Sequence, residues 1–520
     1  MPALWACTSR TLDAGVINPT ASLTALVTQK INNNIDILFM IDNSSSMKSM
    51  QDKLYTQLPT FMNVLEKLPN GLPNVHIAVV SSDMGAPGDS VGSIGCTPYG
   101  DDGGFQSAAR SDSTVGATCT DTTLQSGATF ISSVDGQKNF TAPAIETVFQ
   151  CIALLGDKGC GFEHQLASID HALGGDGAAP GSNANFLRPE AYLGIVILTN
   201  EDDCSAPANT QLFSLNGGQQ GTANPLGPIA NYRCNQFGHL CKDPNGNMVS
   251  PPRDAPAGMS GTPQETFTDC VSNDSGNPQQ QTLTPVSTFV NDIKRLKPQD
   301  PSGNSILVAA ITAPADPYTV EWVPPSSPPP GTTGQLWPQI MHSCGAKGGD
   351  DVNPNPAETT TDGSFGDPGV RITQFVKSFP NYFVSSICDP SYGQAMTAIA
   401  TKLGALIKPN CITGTIQKDN NNRPNCTVVN HLTSTNNPKP VDIQIPNCDA
   451  NGGAAPCWKL DPDMTKCPKG GVALSLTQDQ AAMNAASLDS SIDCSLCLEN
   501  STAPGCPCPN DATKLYPNCQ

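Results

Sequence analysis

Charge is scarce in this sequence of 520 residues: only 14% are Asp, Glu, Lys or Arg, where a soluble domain carries about 25%. Positive charge is scarcer still, with 27 Lys and Arg against 46 Asp and Glu and a net charge of −19. That balance excludes nucleic-acid binding, which depends on basic patches that displace phosphate counterions. Long apolar runs are also missing. The longest, Leu193–Leu198 and Ile306–Ile311, are strand-sized, whereas a membrane-spanning helix needs ~18 residues or more. Low charge combined with distinct apolar segments excludes charge-driven disorder. What the chain has in quantity is Gly (46), Pro (47) and Cys (21), in a length that suits about two to four domains.

Cysteines this numerous and widely spaced read as disulfides formed in an oxidising compartment, since cytosolic thiols are kept reduced. Cys7 stands apart. Its setting, Leu4-Trp5-Ala6-Cys7, resembles the cleavage box of bacterial lipoproteins, and by that resemblance Cys7 is a candidate lipidation site and outer-membrane anchor. The other twenty divide evenly, ten from Cys96 to Cys388 and ten from Cys411 to Cys519. Even counts predict bridges closed within two domains that meet near residue 409.

Residues 1–34 read as a polar N-terminal tether. Ile35–Ile41 is then an apolar strand, suited to burial on both faces. Met50, Leu54, Leu58, Phe61, Leu65 and Leu68 lay one stripe along a helix, with Pro59 expected to kink it. Val75–Val80 is the next strand, so strand, helix and strand imply a right-handed parallel crossover. Strands over Leu193–Leu198, Ile306–Ile311 and Tyr382–Ile387 alternate with amphipathic helices at 145–155, 162–173, 286–296, 372–376 and 396–407. The pattern predicts an α/β domain over 35–408 with a doubly wound, mostly parallel sheet. Long Gly/Pro/Asn-rich insertions at about 84–138, 204–284 and 314–368 each contain cysteines and read as stapled loops. Residues 409–520 read as a small cysteine-rich module, β or irregular. Cys494-Ser495-Leu496-Cys497 with Cys506-Pro507-Cys508 has zinc-like spacing, and disulfides are the reading the compartment favours.

The first strand ends in Asp42-Asn43-Ser44-Ser45-Ser46. A carboxylate and two hydroxyls on one tight loop are hard oxygen ligands for Mg²⁺, Mn²⁺ or Ca²⁺. Ligands of open α/β sheets collect at this carboxyl edge of the strands.

The segment Asp36–Met47 resembles the first strand and metal-ion-dependent adhesion site of the von Willebrand factor A family, the fold of integrin inserted domains, and the resemblance covers roughly 35–408. It implies that Asp42, Ser44 and Ser46 hold the metal, directly or through water. The family's loop before the third helix usually supplies a Thr. The matching Gly159-Cys160-Gly161-Phe162-Glu163-His164 has none, which makes Glu163 the nearest candidate. Where the family has Thr-Asp-Gly, this chain has Leu198-Thr199-Asn200-Glu201-Asp202-Asp203, so Asn200 stands at the carboxylate's place and Asp202 or Asp203 is expected to substitute. Asp83, at the same sheet edge, and Asp203 are expected to support the ligands from behind. The segments around Cys151, Cys160, Glu201–Ser205 and Cys457-Trp458 resemble cysteine-rich A-domain surface lipoproteins of myxobacterial type.

These resemblances imply an extracellular or cell-surface adhesion protein rather than an enzyme. Its metal would bind an acidic group of a protein or surface-polymer partner. One alternative is a structural or assembly subunit whose metal site is vestigial. Another, less favoured, is a secreted hydrolase using Glu201, Asp202 and Asp203, against which no nucleophile-base spacing appears.

Overall fold

A computed structural model gives the fold. It describes residues 24–519 apart from 32, 69–70, 87–95, 111–118, 120–123, 143, 209, 215–223, 258–260, 276–282, 326–330, 346–363, 408–410, 435–436, 462–470, 478–486 and 499–500. Cys7 lies outside the described residues.

In chain order the elements begin with β1 (Thr24–Ile31), β2 (Asn34–Ile41), α1 (Lys48–Glu66) and β3 (Asn74–Ser81). A hairpin, β4 (Ile131–Val134) and β5 (Gln137–Lys138), precedes α2 (Ile145–Ile152), α3 (Gln165–Leu173) and β6 (Tyr192–Leu198). Then come α4 (Tyr232–Gly238), β7 (His239–Lys242), β8 (Met248–Val249), β9 (Gln264–Ser272), α5 (Val286–Arg295) and β10 (Ile306–Thr312). Next are β11 (Tyr318–Val323), β12 (Trp337–Ile340), α6 (Val370–Lys377), β13 (Asn381–Ser386) and α7 (Gly393–Leu406). The remainder is β14 (Cys411–Ile412), β15 (Thr415–Ile416), β16 (Cys426–Ser434), β17 (Asn437–Ile445), β18 (Cys457–Asp461), β19 (Val472–Thr477), β20 (Ser487–Cys497), β21 (Pro507–Cys508) and β22 (Asp511–Leu515).

The chain divides into two compact units, and one of them runs from Asn32 to Ile407. Its centre is a seven-stranded sheet in the order β13-β10-β6-β2-β3-β4-β5. The first five of these strands are parallel and the β4–β5 hairpin is antiparallel. Alternation along β2 shows why both faces must be covered. Ile35, Ile37, Phe39 and Ile41 pack with α1, α2 and α7, while Leu38 and Met40 pack with α3, α5 and α6 on the other side. All six of these side chains are fully buried, as continuous apolar strands require.

The second and third insertions do more than loop. Strands β7, β8 and β9 from one and β11 and β12 from the other form a five-stranded antiparallel sheet, β12-β11-β9-β7-β8. It carries its own core around Phe267, Tyr318, Val320, Trp322 and Ile340. Burial along β9 is irregular, with Val271 exposed and Ser272 buried, so a weak alternation hides these strands in the sequence. All ten cysteines of this unit are paired: Cys96–Cys160, Cys119–Cys151, Cys204–Cys234, Cys241–Cys270 and Cys344–Cys388.

The other unit combines β1 with the chain after α7. Here the structure departs from the tether expected over 1–34, because Thr24–Ile31 pairs antiparallel along β20. Its sheet runs β1-β20-β16-β17, with β15 also on β20, beside a three-stranded sheet β14-β19-β18. Ile412, Val428, Ile445, Trp458, Leu474 and Ile492 fill the core. Cys494, Cys497, Cys506 and Cys508 are in disulfides with Cys426, with each other as Cys497–Cys506, and with Cys519. The zinc-like spacing is therefore a set of staples. No helix among the described residues is long and apolar enough to cross a membrane.

Candidate metal centre

β2, β3 and β6 are adjacent and parallel, so their carboxyl ends bring Asp42, Ser82 and Thr199 to one edge. Asp42 is fully buried there. Its backbone N–H donates to Leu198 O at 2.9 Å, which fixes the turn leaving β2 against the end of β6. The Asp42 carboxylate is held from three sides. Oδ1 accepts from the Ser44 N–H at 2.8 Å and from the Ser82 hydroxyl at 3.1 Å, and Oδ2 accepts from the Thr199 hydroxyl at 2.7 Å. Thr199 Oγ1 in turn accepts from Gln165 Nε2 on α3 at 2.9 Å. Burial pushes the Asp42 pKa above the ordinary carboxylate value, and the hydrogen bonds from Ser44, Thr199 and Ser82 offset only part of that. No cationic side chain among the described residues pairs with it.

The Ser44 side chain also hydrogen-bonds this carboxylate, and from it a chain of oxygens runs to the end of β6. Ser44 Oγ and Ser46 Oγ are 3.3 Å apart, and the Ser46 hydroxyl donates to Asn200 Oδ1 at 3.1 Å. Asn200 thus turns its amide oxygen toward the serines, while its buried Nδ2 has no partner among the described residues. The loop itself is braced by Gln51 of α1. Its amide N–H₂ donates to Asp42 O and Gly156 O, both at 2.8 Å, and its oxygen accepts from the Leu155 and Gly156 N–H groups. Asn43 is buried against Gly159, whose N–H donates to Asn43 O at 2.7 Å.

The remaining candidates are engaged elsewhere. Asp202 accepts from the Arg371 and Ile372 N–H groups at 2.8 and 3.1 Å, capping the N-terminus of α6, and from His239 Nε2 at 2.8 Å. Burial raises the Asp202 pKa, but the His239 contact and the two backbone donors outweigh it and hold the group below the ordinary value. Asp203 Oδ1 accepts from Leu166 N–H at the start of α3, and its Oδ2 pairs with the buried Arg371 at 2.9 Å. Both carboxylates satisfy orphan donors of helix N-termini, where a negative charge is favourable. They are not directed at the Asp42 cluster. Glu163 is buried and lines a cavity of about 10 Å³ with Glu201, Asp202, Asp203, His239 and Asp367, room for about one water. Asp83 accepts from the Gly85 N–H at 2.9 Å, and it is Ser82, not Asp83, that reaches Asp42. Among the described residues no three His, Cys, Asp or Glu side chains meet in a cation-binding arrangement; the Asp42 cluster contains one carboxylate.

Sequence reasoning missed Ser82, Gln51 and the donor role of Thr199. Thr199 had a signal, as a hydroxyl at the end of a buried strand. Ser82 and Gln51 had none, because their contacts are made across the fold.

Fold and site together define a disulfide-rich mixed α/β protein, with a large parallel-containing sheet and an oxygen-rich cluster at its carboxyl edge. No family model matches the chain, and no curated protein matches it. Solved structures similar to it include a von Willebrand factor type A protein from Catenulispora acidiphila (9% identity, TM-score 0.25, covering 92% of this chain and 67% of that one). Another is the adhesive tip pilin GBS104 of Group B Streptococcus agalactiae (10% identity, TM-score 0.25, 91% and 80%). A third is the von Willebrand domain of the type V pili tip protein Mfa5 from Porphyromonas gingivalis (12% identity, TM-score 0.29, 74% and 99%).

Proposed function

We propose that this protein is an extracellular or cell-surface binding protein of von Willebrand A type, with a doubly wound sheet. In this reading it engages an acidic group of a protein or polymer partner through a divalent cation held by Asp42, Ser44, Ser46 and Asn200. The supporting observation is the convergence of one buried, unneutralised carboxylate with two hydroxyls and an amide oxygen. Adjacent oxygens around Mg²⁺ at ~2.1 Å lie ~3.0 Å apart, and the spacings of 3.1 and 3.3 Å fit such a shell. The donor set is all oxygen, which suits Mg²⁺, Mn²⁺ or Ca²⁺. A bound cation would supply a point charge for the partner's carboxylate, while Thr199, Ser82 and Gln51 keep the Asp42 loop in place. The disulfides support an oxidising location, and the lipoprotein-like setting of Cys7 extends that to an outer-membrane anchor.

Calorimetric titration with Mg²⁺ and Mn²⁺ tests the reading. Wild type is expected to bind saturably and Asp42→Ala at least about tenfold more weakly; equal affinities would sink the metal assignment. A pull-down from outer-surface extracts should lose its partner on adding EDTA. The single carboxylate favours one competitor, an assembly subunit whose cluster holds no cation, and Asp42-dependent Mg²⁺ uptake would exclude it.

A further inference from the structure

We propose that Ser491, on the β sheet of the second unit, is an activated nucleophile that accepts an acyl or phosphonyl group from reactive esters. The three residues involved come from three strands. His431 on β16 lies directly opposite Asp442 on β17. Facing residues of an antiparallel pair share a side of the sheet with Cβ atoms about 4.5–5.5 Å apart. On the other flank of β16, Val429 pairs with Ser491 of β20 and His431 with Asp489, so Ser491 is the diagonal neighbour of His431. Such diagonals span about 7–8 Å, within reach of an imidazole.

The side chains close that gap. His431 Nδ1 is 2.6 Å from Asp442 Oδ1, and His431 Nε2 is 2.9 Å from Ser491 Oγ. A carboxylate only accepts, so Nδ1 carries the proton and Nε2 presents its lone pair to the serine hydroxyl. Nucleophile, base and orienting carboxylate are then in the relation that activates a hydroxyl. The neighbouring serine shows the contrast. Ser490 points to the opposite face, where its hydroxyl donates to Asn430 Oδ1 at 2.7 Å in a buried pair. The His431 and Asp442 side chains are 34% and 65% exposed, so an ester can reach them from solvent.

The same sheet limits what the site can do. β20 is hydrogen-bonded to β1 on one side and β16 on the other, which leaves the Ser491 strand no spare N–H pair for an oxyanion. The substrates that fit are esters with good leaving groups, such as aryl esters and thioesters, together with phosphonyl fluorides. In the acylation step the Oγ–C bond forms as the hydroxyl proton passes to Nε2. The bond to the leaving group then breaks, and that group takes the proton from His431. Water later splits the Ser491 ester to the acid and the free serine, slowly without an oxyanion hole.

The test uses the full chain, a biotinylated fluorophosphonate and p-nitrophenyl acetate, with peptide mass spectrometry to locate the adduct. Expected are one phosphonyl group on Ser491 and a burst of about one equivalent of p-nitrophenolate. Both should vanish in Ser491→Ala. His431→Gln should label at least about 100-fold more slowly, the usual share of a general base, with an unchanged melting profile showing that the sheet is intact. The proposal is overturned if Ser491 labels no faster than other serines of the chain, or if His431→Gln labels at the native rate.

Discussion

Asp42 is a carboxylate without a counter-charge, and its neighbours are arranged to hold it rather than neutralise it. Thr199→Val removes the hydroxyl that donates to Asp42 Oδ2 at 2.7 Å while keeping the side-chain shape. The expected loss is about 1–3 kcal/mol of stability together with weaker Mg²⁺ binding, read by thermal melts and calorimetry. A different buried acid sets a pH dependence. Asp170 of α3 has an Oδ1 with no partner among the described residues. Burial first, then the nearby Asp292 and Asp176, raise its pKa to about 7 against the opposing pull of Arg295. The folded chain therefore holds this proton more tightly than the unfolded chain, whose ordinary value is 3.8. The stability it contributes is complete below that value and is lost as pH rises through about 7. Asp170→Asn cannot ionise. It should exceed the native protein in stability at pH 8 by on the order of 2 kcal/mol, after allowing for partial solvent screening, and match it at pH 4. Equal melts at both pH values would refute the assignment.

At the scale of elements, the short segment after β6 determines which acids are available. Thr199 serves Asp42, Asn200 meets Ser46, Asp202 caps α6 and Asp203 caps α3 while pairing with Arg371. Arg371 is fully buried and also donates to Ser272 Oγ and Thr284 O, tying α6 to the inserted sheet. Arg371→Met strands the Asp203 charge, and a loss of about 3–5 kcal/mol is expected in thermal melts. The loop before α3 gives a paired test. A Cβ on Gly159 would lie 2.3 Å from Asn43 Oδ1, whereas one on Gly161 would meet nothing within 4 Å. Gly159→Ala should distort the Asp42-Asn43-Ser44 turn and weaken Mg²⁺ binding, while Gly161→Ala should leave it unchanged. Equal effects would mean that this packing does not hold the turn.

For the whole molecule, one unit uses both ends of the described chain and the other uses the residues between. Every described disulfide closes within a single unit. Removing residues 24–31 takes β1 from its pairing with β20. In calorimetry this should lower the transition of the unit containing β20 and leave that of the parallel-sheet unit where it was; a shift of both would show that the units unfold together. The central strands were legible in the sequence because parallel strands buried on two faces are continuous apolar runs, as in Ile35–Ile41 and Ile306–Ile311. Asp42, Ser44 and Ser46 were legible as a set because one turn carries all three. β1 was not, since its partner β20 lies more than 450 residues away in sequence. Neither was the inserted five-stranded sheet, whose β9 and β11 come from separate insertions and whose β9 shows no regular alternation. The even cysteine counts anticipated bridges within each part, but not which sulfur meets which.

By itself, then, the sequence determined what local pattern can encode: the apolar strands, the amphipathic helices, the oxygen-bearing loop and the oxidising chemistry of the cysteines. Only the tertiary structure decided which acids remain available. Asp202 and Asp203 look like ligands in one dimension, and helix N-termini, His239 and Arg371 claim them in three. Ser82 and Thr199 reach Asp42 only because β3 and β6 end at one edge of a sheet, Gln51 reaches it from α1, and burial makes each of those hydrogen bonds matter.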